Sequence, residues 1–180
     1  MRAKKIFEDE EWNPKWIKPA KDIKEKILKK IEGRKFFQKF EISIEYNQVW
    51  LVKELLSKFG VEWESPYVDF MSSLFRFAAQ NGYLEIVKIL CENTNEVNLT
   101  SMENFAIRYA VIENHIETVK YLLNYPKVDP SDKNNQALKN INIYDKNYRA
   151  VIDILLKDER VIDKLSSFER MNLISEGFDI

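Results

Sequence analysis

Hydrophobic and polar positions recur along the chain at an interval of about 33 residues. Two segments show the recurrence most directly, GYLEIVKILC at residues 82–91 and NHIETVKYLL at residues 114–123. In each segment, apolar residues at positions i, i+3 and i+4 form one stripe of a short amphipathic helix. A fixed interval of this length predicts a stack of similar units rather than one irregular core.

Four copies of the pattern can be aligned. Each has a leucine, a β-branched residue three positions before it, an Asn or Gly eight positions before it, and a valine six or seven positions after it. The leucines are Leu55, Leu90, Leu122 and Leu155. The branched residues are Val52, Val87, Val119 and Ile152. The valines are Val61, Val97, Val128 and Val161.

The Asn and Gly positions of the four copies are Asn47, Gly82, Asn114 and Asn147. These residue types adopt left-handed backbone geometry at little cost, which is how many helices end. We therefore expect a helix to stop at each position, with a positive φ at most of them. The preceding stretches are helix-compatible: FRFAAQ (75–80), AIRYAVI (106–112) and ALKNINI (137–143). Each copy is predicted to be a helix, a tight turn, a second helix and a loop.

These segments resemble ankyrin repeats. NGYLEIVKIL at residues 81–90 is similar to the second-helix phrase of that family, and the repeat interval matches its unit length. Ala78 and Ala110 resemble the small first-helix residues that allow repeats to pack closely. VNLTSMENFAI (97–107) and VDPSDKNNQAL (128–138) resemble a divergent subtype abundant in large DNA viruses of amoebae.

The chain also departs from the family pattern. It lacks the Thr-Pro-Leu-His opening, and Arg76 and Arg108 stand where the family histidine would be. The fourth copy has two extra residues between Ala137 and Leu155, by comparison with the third. The resemblance covers roughly residues 36–163.

The resemblance implies an all-α, ankyrin-like solenoid of about four helix–turn–helix repeats, with a helical cap at each end. A closing helix is expected near Ser167–Ile174. The predicted boundaries are an N-terminal basic segment and capping helix at 1–35, repeats at 36–66, 70–101, 102–132 and 133–166, and a C-terminal cap and tail at 167–180.

Composition is that of a globular protein, with 45% hydrophobic and 32% charged residues. A single cysteine, Cys91, excludes an intramolecular disulfide and indicates a reducing compartment. The beginning of the sequence lacks the apolar run of a secretion signal, and no stretch approaches the length of a membrane span. We expect an intracellular, cytoplasmic protein.

Charge is divided unevenly. Residues 1–40 carry 13 Lys and Arg against 7 Asp and Glu, whereas the remaining 140 residues carry 15 against 22. One helical face of the basic part has Ile23, Ile27, Leu28 and Ile31. Its lysines lie mostly off that stripe: Lys24, Lys26, Lys29 and Lys30.

Two interpretations of this basic helix remain open. It is a cap that covers the first repeat and stays soluble through its lysines, or a patch for nucleic acid or anionic lipid. The cap is the preferred interpretation. Trp12, Trp16 and Ile17 either extend the cap or form an exposed aromatic anchor.

No arrangement typical of catalysis is visible in the sequence. His115, the sole histidine, aligns with Tyr83 and Tyr148, and Cys91 aligns with core leucines, so both are interpreted as structural. One His and one Cys do not make a zinc site, and no glycine-rich phosphate loop is present. We expect a protein that is not an enzyme and that binds no metal or cofactor.

The predicted function is protein–protein binding, as an intracellular adaptor or inhibitor that docks another protein, a host protein if the viral resemblance holds. The alternatives are nucleic-acid binding through the basic helix and a structural role in a larger assembly. We expect a monomer. In the ankyrin geometry that the chain resembles, partners contact loop tips and first helices. Transferred position by position, the binding residues are Ser72, Gln80, Asn81, Thr100, Ser101, Asn104, Ile112, Glu113, Ser131 and Lys133.

Overall fold

The computed structural model describes residues 21–58, 65–93 and 97–180, in two compact units, Met1–Glu64 and Ser65–Ile180. All regular structure in these residues is helical, as predicted. The first unit has α1 (Lys21–Ile31), α2 (Phe36–Glu45) and α3 (Val49–Lys58). The second has α4 (Ser65–Gln80), α5 (Leu84–Asn93), α6 (Ser101–Ile112), α7 (Ile116–Leu123), α8 (Asp132–Lys139), α9 (Tyr148–Leu155), α10 (Glu159–Asp163) and α11 (Ser167–Ser175). Trp12, Trp16, Ile17 and Val61 lie outside the described residues.

In the first unit, α1 packs on α2 and α2 packs on α3. Phe40 and Ile44 of α2 are buried, as are the apolar residues on one face of α3. Ile27 of α1 is buried, whereas Leu28 is exposed, so the apolar stripe of α1 is only partly covered. The side chains of Ile23, Lys24 and Ile31 lie outside the described part of the chain.

The second unit is a stack of helix pairs. Its first helices form one row, in which α4 packs on α6 and α6 on α8, and its second helices form another, in which α5 packs on α7 and α7 on α9. Ala78, Ala110 and Ala137 are completely buried in the first row, where small side chains let the helices approach closely. The stack places successive first helices side by side on one face of the unit.

The aligned leucines and branched residues are the core of this arrangement. All four leucines are buried, and Leu90, Leu122 and Leu155 have no exposed surface. All four branched residues are buried as well. Val97, Val128 and Val161 are buried under the connecting segments. The repeat register predicted from the sequence is therefore confirmed at every described position of these sets.

Three of the four turn positions have the predicted left-handed geometry: Asn47 (φ +50°), Gly82 (φ +68°) and Asn114 (φ +57°). A positive φ at most of the positions is therefore confirmed. Asn147 is the exception, with a φ of −92°, and the predicted helix end at this residue is wrong because α8 ends at Lys139. Asn147 does not join a helix pair through a tight turn. It follows an irregular loop and directly precedes α9.

The fourth first helix is shorter than predicted. The stretch 137–143 was expected to be helical throughout, but α8 ends at Lys139. The following loop is held instead by the preceding repeat, because the Asn142 N–H donates to the Ile112 carbonyl (2.9 Å) and the Asn114 amide donates to the Asn142 carbonyl (2.6 Å). Asn142 is therefore pulled out of helical geometry by contacts with residues about one repeat earlier in the chain.

The predicted closing helix is present as α11. Ser166 begins it with a capping box, in which its hydroxyl accepts from the Glu169 N–H (3.3 Å) and its own N–H donates to the Glu169 carboxylate (2.8 Å). No side chain of α11 is buried. Its exposed apolar residues are Phe168, Met171 and Ile174.

Candidate protein-binding face

Three of the ten predicted binding residues are buried rather than accessible to a partner. These are Ser72, Asn104 and Ser131. Each bonds a connecting segment: Ser72 Oγ accepts from the Asn98 N–H (3.0 Å), and the Ser131 hydroxyl donates to Asp129 Oδ1 (2.6 Å). Their polar atoms hold loops in place rather than facing a partner.

Asn104 shows why this position needs a polar side chain. Its Oδ1 accepts from the Asp129 N–H (2.9 Å), and its Nδ2 donates to Asp132 Oδ2 (2.8 Å). Asn135, one repeat later, is also buried and donates to the Val161 carbonyl (2.8 Å). Ser72, Asn104 and Asn135 align with one another in the repeats. Each fastens its first helix to a segment about one repeat further along the chain.

The remaining seven predicted residues keep some exposure: Gln80, Asn81, Thr100, Ser101, Ile112, Glu113 and Lys133. Of these, Glu113 and Lys133 are exposed and the others are half-buried. Ser101 already accepts a hydrogen bond from Arg76 (Nη1 to Oγ, 2.7 Å), and Lys133 pairs with Glu103. These seven residues lie on the first helices and in the adjoining loops.

The first turns of α6 and α8 have an unusual backbone. Residues 102–104 and 133–135 all have φ between +51° and +59°, so each stretch is left-handed before the right-handed helix begins. Left-handed geometry places a non-glycine Cβ close to the following carbonyl oxygen. The turn in α6 also exposes Met102, whose relative exposure is 62%.

Arg108 stabilises the left-handed turn of α6. Its Nε donates to the Glu103 carbonyl (2.8 Å) and its Nη2 to the Met102 carbonyl (3.1 Å). Its Nη1 donates to Gln136 Oε1 of α8 (2.6 Å). The guanidinium therefore connects the turn of one repeat to the first helix of the next.

Arg108 also lines an open cleft of about 510 Å³ between α6 and α8. Phe105 and Tyr109 form an aromatic wall, with their rings stacked at 4.0 Å between centroids and 19° between planes. The other lining residues are Met102, Glu103, Lys133 and Gln136. We call this set the α6–α8 cleft. Of these lining residues, only Lys133 is among the predicted binding residues, and Arg108 stands where the ankyrin-like pattern has a histidine.

The opposite row of helices has a different surface. In α5, Lys88 pairs with Glu85 (2.9 Å), and in α7, Lys120 pairs with Glu117 (2.8 Å). These ion pairs link residues three positions apart on the same helix and are solvent-exposed. Among the described residues, α4 has the exposed ring of Phe77, and Arg76 and Arg108 of the first helices form no ion pair, whereas these lysines of α5 and α7 are paired within their own helices.

Cys91 and His115 each have contacts with a neighbouring repeat. Burial raises the pKa of the Cys91 thiol to about 12, despite hydrogen bonds with Tyr125 and Tyr121, so the thiol is protonated at neutral pH. His115 Nε2 lies 2.9 Å from the Gln80 carbonyl oxygen, a backbone atom. Among the described residues, no group of three His, Cys, Asp or Glu side chains has the arrangement of a metal site.

The lysines of α1 are the residues proposed for nucleic-acid contact. Lys26, Lys29 and Lys30 are exposed, while the side chain of Lys24 lies outside the description. Lys30 is engaged within its own unit, with its ammonium 4.0 Å from the Tyr46 ring centroid and bonded to the Tyr46 hydroxyl. None of the helices in the described ranges combines the length and apolar character needed to cross a membrane.

Residues 40–137 match a family model described as ankyrin repeats in three copies. The matched range extends from α2 into α8 and covers more than half of the chain. No curated protein and no solved structure matches the chain significantly.

Proposed function

The chain belongs to the ankyrin-repeat family, and we propose that it is a non-enzymatic module that docks another protein through the first-helix side of its second unit. Ankyrin repeats are generally protein–protein interaction modules. The contrast with the self-paired lysines of α5 and α7 supports this choice of side. Phe77 of α4 is exposed at 41%. Met102, which lines the α6–α8 cleft together with the stacked rings of Phe105 and Tyr109, is exposed at 62%.

The exposed aromatic and thioether groups are the single observation that carries the proposal. Such side chains are enriched at the centres of protein interfaces, where they bury a large apolar area. The proposed surface combines them with the seven accessible residues predicted from the sequence, of which Ile112 is the apolar member. The buried Ser72, Asn104 and Ser131 support its shape from beneath.

The finer role proposed is that of an intracellular, cytoplasmic adaptor or inhibitor that acts as a monomer. The single cysteine, Cys91, supports a reducing compartment. If the resemblance of 97–107 and 128–138 to the viral subtype reflects origin, the partner is a host protein. The mass of the protein in solution tests whether it is a monomer. If the mass is that of a dimer, the exposed apolar residues of α11 are the first candidates for substitution.

Site-specific photocrosslinking tests the binding side. A photoreactive amino acid replaces Met102 in one variant and Glu117 of α7 in the other, and covalent partners formed in the native cell are identified by mass spectrometry. We expect a protein partner captured through position 102 and absent from position 117. Partners captured equally at both positions, or only at 117, would exclude the first-helix side.

Once the partner is purified, a paired substitution measures the contribution of the predicted residues. Ile112→Asp with Gln80→Asp places two carboxylates on the proposed surface, and we expect binding to fall at least about tenfold, since charge there opposes apolar contact. Lys88→Asp with Lys120→Asp is the control on the second helices. Full binding by a folded Ile112/Gln80 variant would move the site elsewhere.

A further inference from the structure

Arg108 is a buried cation without an anionic partner among the described residues. Arg108 is only 6% exposed. Its three hydrogen bonds all go to neutral oxygens, two backbone carbonyls and the Gln136 amide. A guanidinium has five N–H groups, so one on each terminal nitrogen remains for another acceptor. A buried charge of this kind is normally paired.

The rest of the α6–α8 cleft does not neutralise Arg108. Of the described residues that line the cleft, Glu103 is the only carboxylate, and it pairs with Lys133. With that pair internally compensated, the cleft retains one net positive charge, which belongs to Arg108. The stacked rings of Phe105 and Tyr109 form the apolar wall beside it. A carboxylate adjoining an apolar side chain matches both features.

The same position is basic in the neighbouring repeats. Arg76 of α4 aligns with Arg108, and its bond to the Ser101 hydroxyl (2.7 Å) also goes to a neutral group. No ion pair of Arg76 occurs in the part of the chain that the structure describes. Lys139 of α8 occupies the position one repeat later and pairs with Glu169 (3.1 Å). Within the described ranges, the row therefore has an anionic partner at its last position and lacks one at the two before it.

Helices in contact lie about 8–10 Å apart, and an extended chain advances about 3.3 Å per residue. Two groups that occupy successive first-helix positions are therefore separated by roughly three residues of an extended segment.

Nucleic acid fits this surface less well than an acidic peptide, because residues 65–180 carry 17 Asp and Glu against 13 Lys and Arg.

We propose that Arg76, Arg108 and the α6–α8 cleft bind an extended acidic segment of the partner protein, with two carboxylates about three residues apart and an apolar residue between them. This inference rests on the proposed function, since it names the chemistry that the same side recognises. Arg108 receives one carboxylate and Arg76 the other. Phe105 and Tyr109 contact the intervening apolar side chain.

Gln136→Glu is the most informative variant. It places a carboxylate where the Gln136 amide oxygen now lies, 2.6 Å from Arg108 Nη1, so it neutralises the cation without removing the side chain that holds the left-handed turn. We expect an unfolding temperature at or above that of the unsubstituted chain, with acidic-peptide binding lost. Lys120→Gln on α7 is the control, because it changes the net charge by the same amount at an exposed site.

The probe is a fluorescent peptide, Gly-Ser-Glu-Leu-Gly-Glu-Ser-Gly, with a second version in which both glutamates are glutamine. Binding to the full chain is measured by anisotropy at fixed ionic strength. We expect the glutamate peptide to bind at least about tenfold more tightly than the glutamine peptide, a preference typical of one charged contact. Gln136→Glu should abolish that preference, and Lys120→Gln should retain it.

Several results would overturn the proposal. They are no binding of the glutamate peptide, equal binding of the two peptides, unchanged binding by folded Gln136→Glu, or preference for single-stranded RNA or a phosphoserine peptide over the glutamate peptide. The proposed function fails separately. A protein crosslinked through position 102 whose affinity is the same for Gln136→Glu would retain the docking side and reject the acidic segment.

Discussion

The imidazole of His115 lies directly against Gly82, one repeat earlier in the chain. A Cβ atom built on Gly82 would come within 2.5 Å of His115 Nδ1. On the other side of the ring, Nε2 is 2.9 Å from the Gln80 carbonyl oxygen and can donate to it. The turn of the second repeat is therefore shaped to receive the only histidine, which joins two neighbouring helix pairs.

We predict that Gly82→Ala destabilises the second unit by about 2–3 kcal/mol, from left-handed strain together with displacement of His115 and loss of its hydrogen bond. Chemical denaturation measures the change. Gly177→Ala is the control, because its φ is +85° but its nearest contact is 3.8 Å away, so only strain applies. His115→Ala should reduce the effect of Gly82→Ala. Equal costs for the two glycine variants would contradict the contact.

Leu122→Ala should cost about 2–5 kcal/mol, because Leu122 has no exposed surface and its removal leaves a cavity between repeats. The adjacent Leu123 is half-buried, so Leu123→Ala is the matched control and should cost less. The free energy of unfolding of the two variants decides the matter. A change within about 0.5 kcal/mol for Leu122→Ala would show that the repeat register is wrong.

Asn104→Ala should destabilise the stack by about 1–3 kcal/mol, since it leaves the Asp129 N–H without its acceptor and puts alanine at a φ of +56°. Native-state hydrogen exchange should show faster exchange at Asp129 in particular. Asn124→Ala provides the comparison, because Asn124 is exposed and has an ordinary φ of −68°. If both variants are equally stable, the Asn104 side chain does not fasten the loop.

The lowered pKa of Glu169 predicts that the stability of the C-terminal helix, α11, depends on pH in the acid range. Hydrogen bonds from the Ser166 hydroxyl and N–H, together with Lys139, lower the pKa of Glu169 from 4.5 to about 2. A carboxyl group whose pKa is lower in the folded than in the unfolded state stabilises the fold at pH values above its unfolded pKa. This stability is lost as the pH falls towards the folded pKa. We therefore expect α11 to loosen between pH 4.5 and about 2.

Carboxyl chemical shifts measured by NMR across this range test the prediction. Glu169→Gln should weaken the pH dependence of hydrogen exchange in α11, because the side chain keeps an acceptor oxygen but no longer titrates. Glu176→Gln, at the other end of α11, should leave it unchanged. Titration of Glu169 at its ordinary pKa would show that the capping box does not hold the ionised form.

Much of the repeat could be predicted from the sequence because its determinants are local. A helix buries residues three and four positions apart, so the spacing of Val87 and Leu90 specifies a buried face without knowledge of its neighbours. The left-handed turns at Asn47, Gly82 and Asn114 were likewise predictable, because Asn and Gly adopt this backbone geometry at little cost. These properties identified the family and the helix pairs.

Tertiary structure decided what lies between repeats. Ser72, Asn104 and Ser131 are polar residues of a kind usually found on a surface, but all three are buried. Ser72 and Asn104 bond to backbone N–H groups about 25 residues further along the chain, and Ser131 bonds to the Asp129 carboxylate. A long-range hydrogen bond to the Ile112 carbonyl likewise holds Asn142 in a loop rather than a helix, and Asn147 therefore follows a loop instead of a tight turn. Arg108 is buried without an ion pair in the described part of the chain because Gln136 and the left-handed turn of α6 supply neutral acceptors around it. Such pairings depend on which repeat faces which, and no local period contains that information.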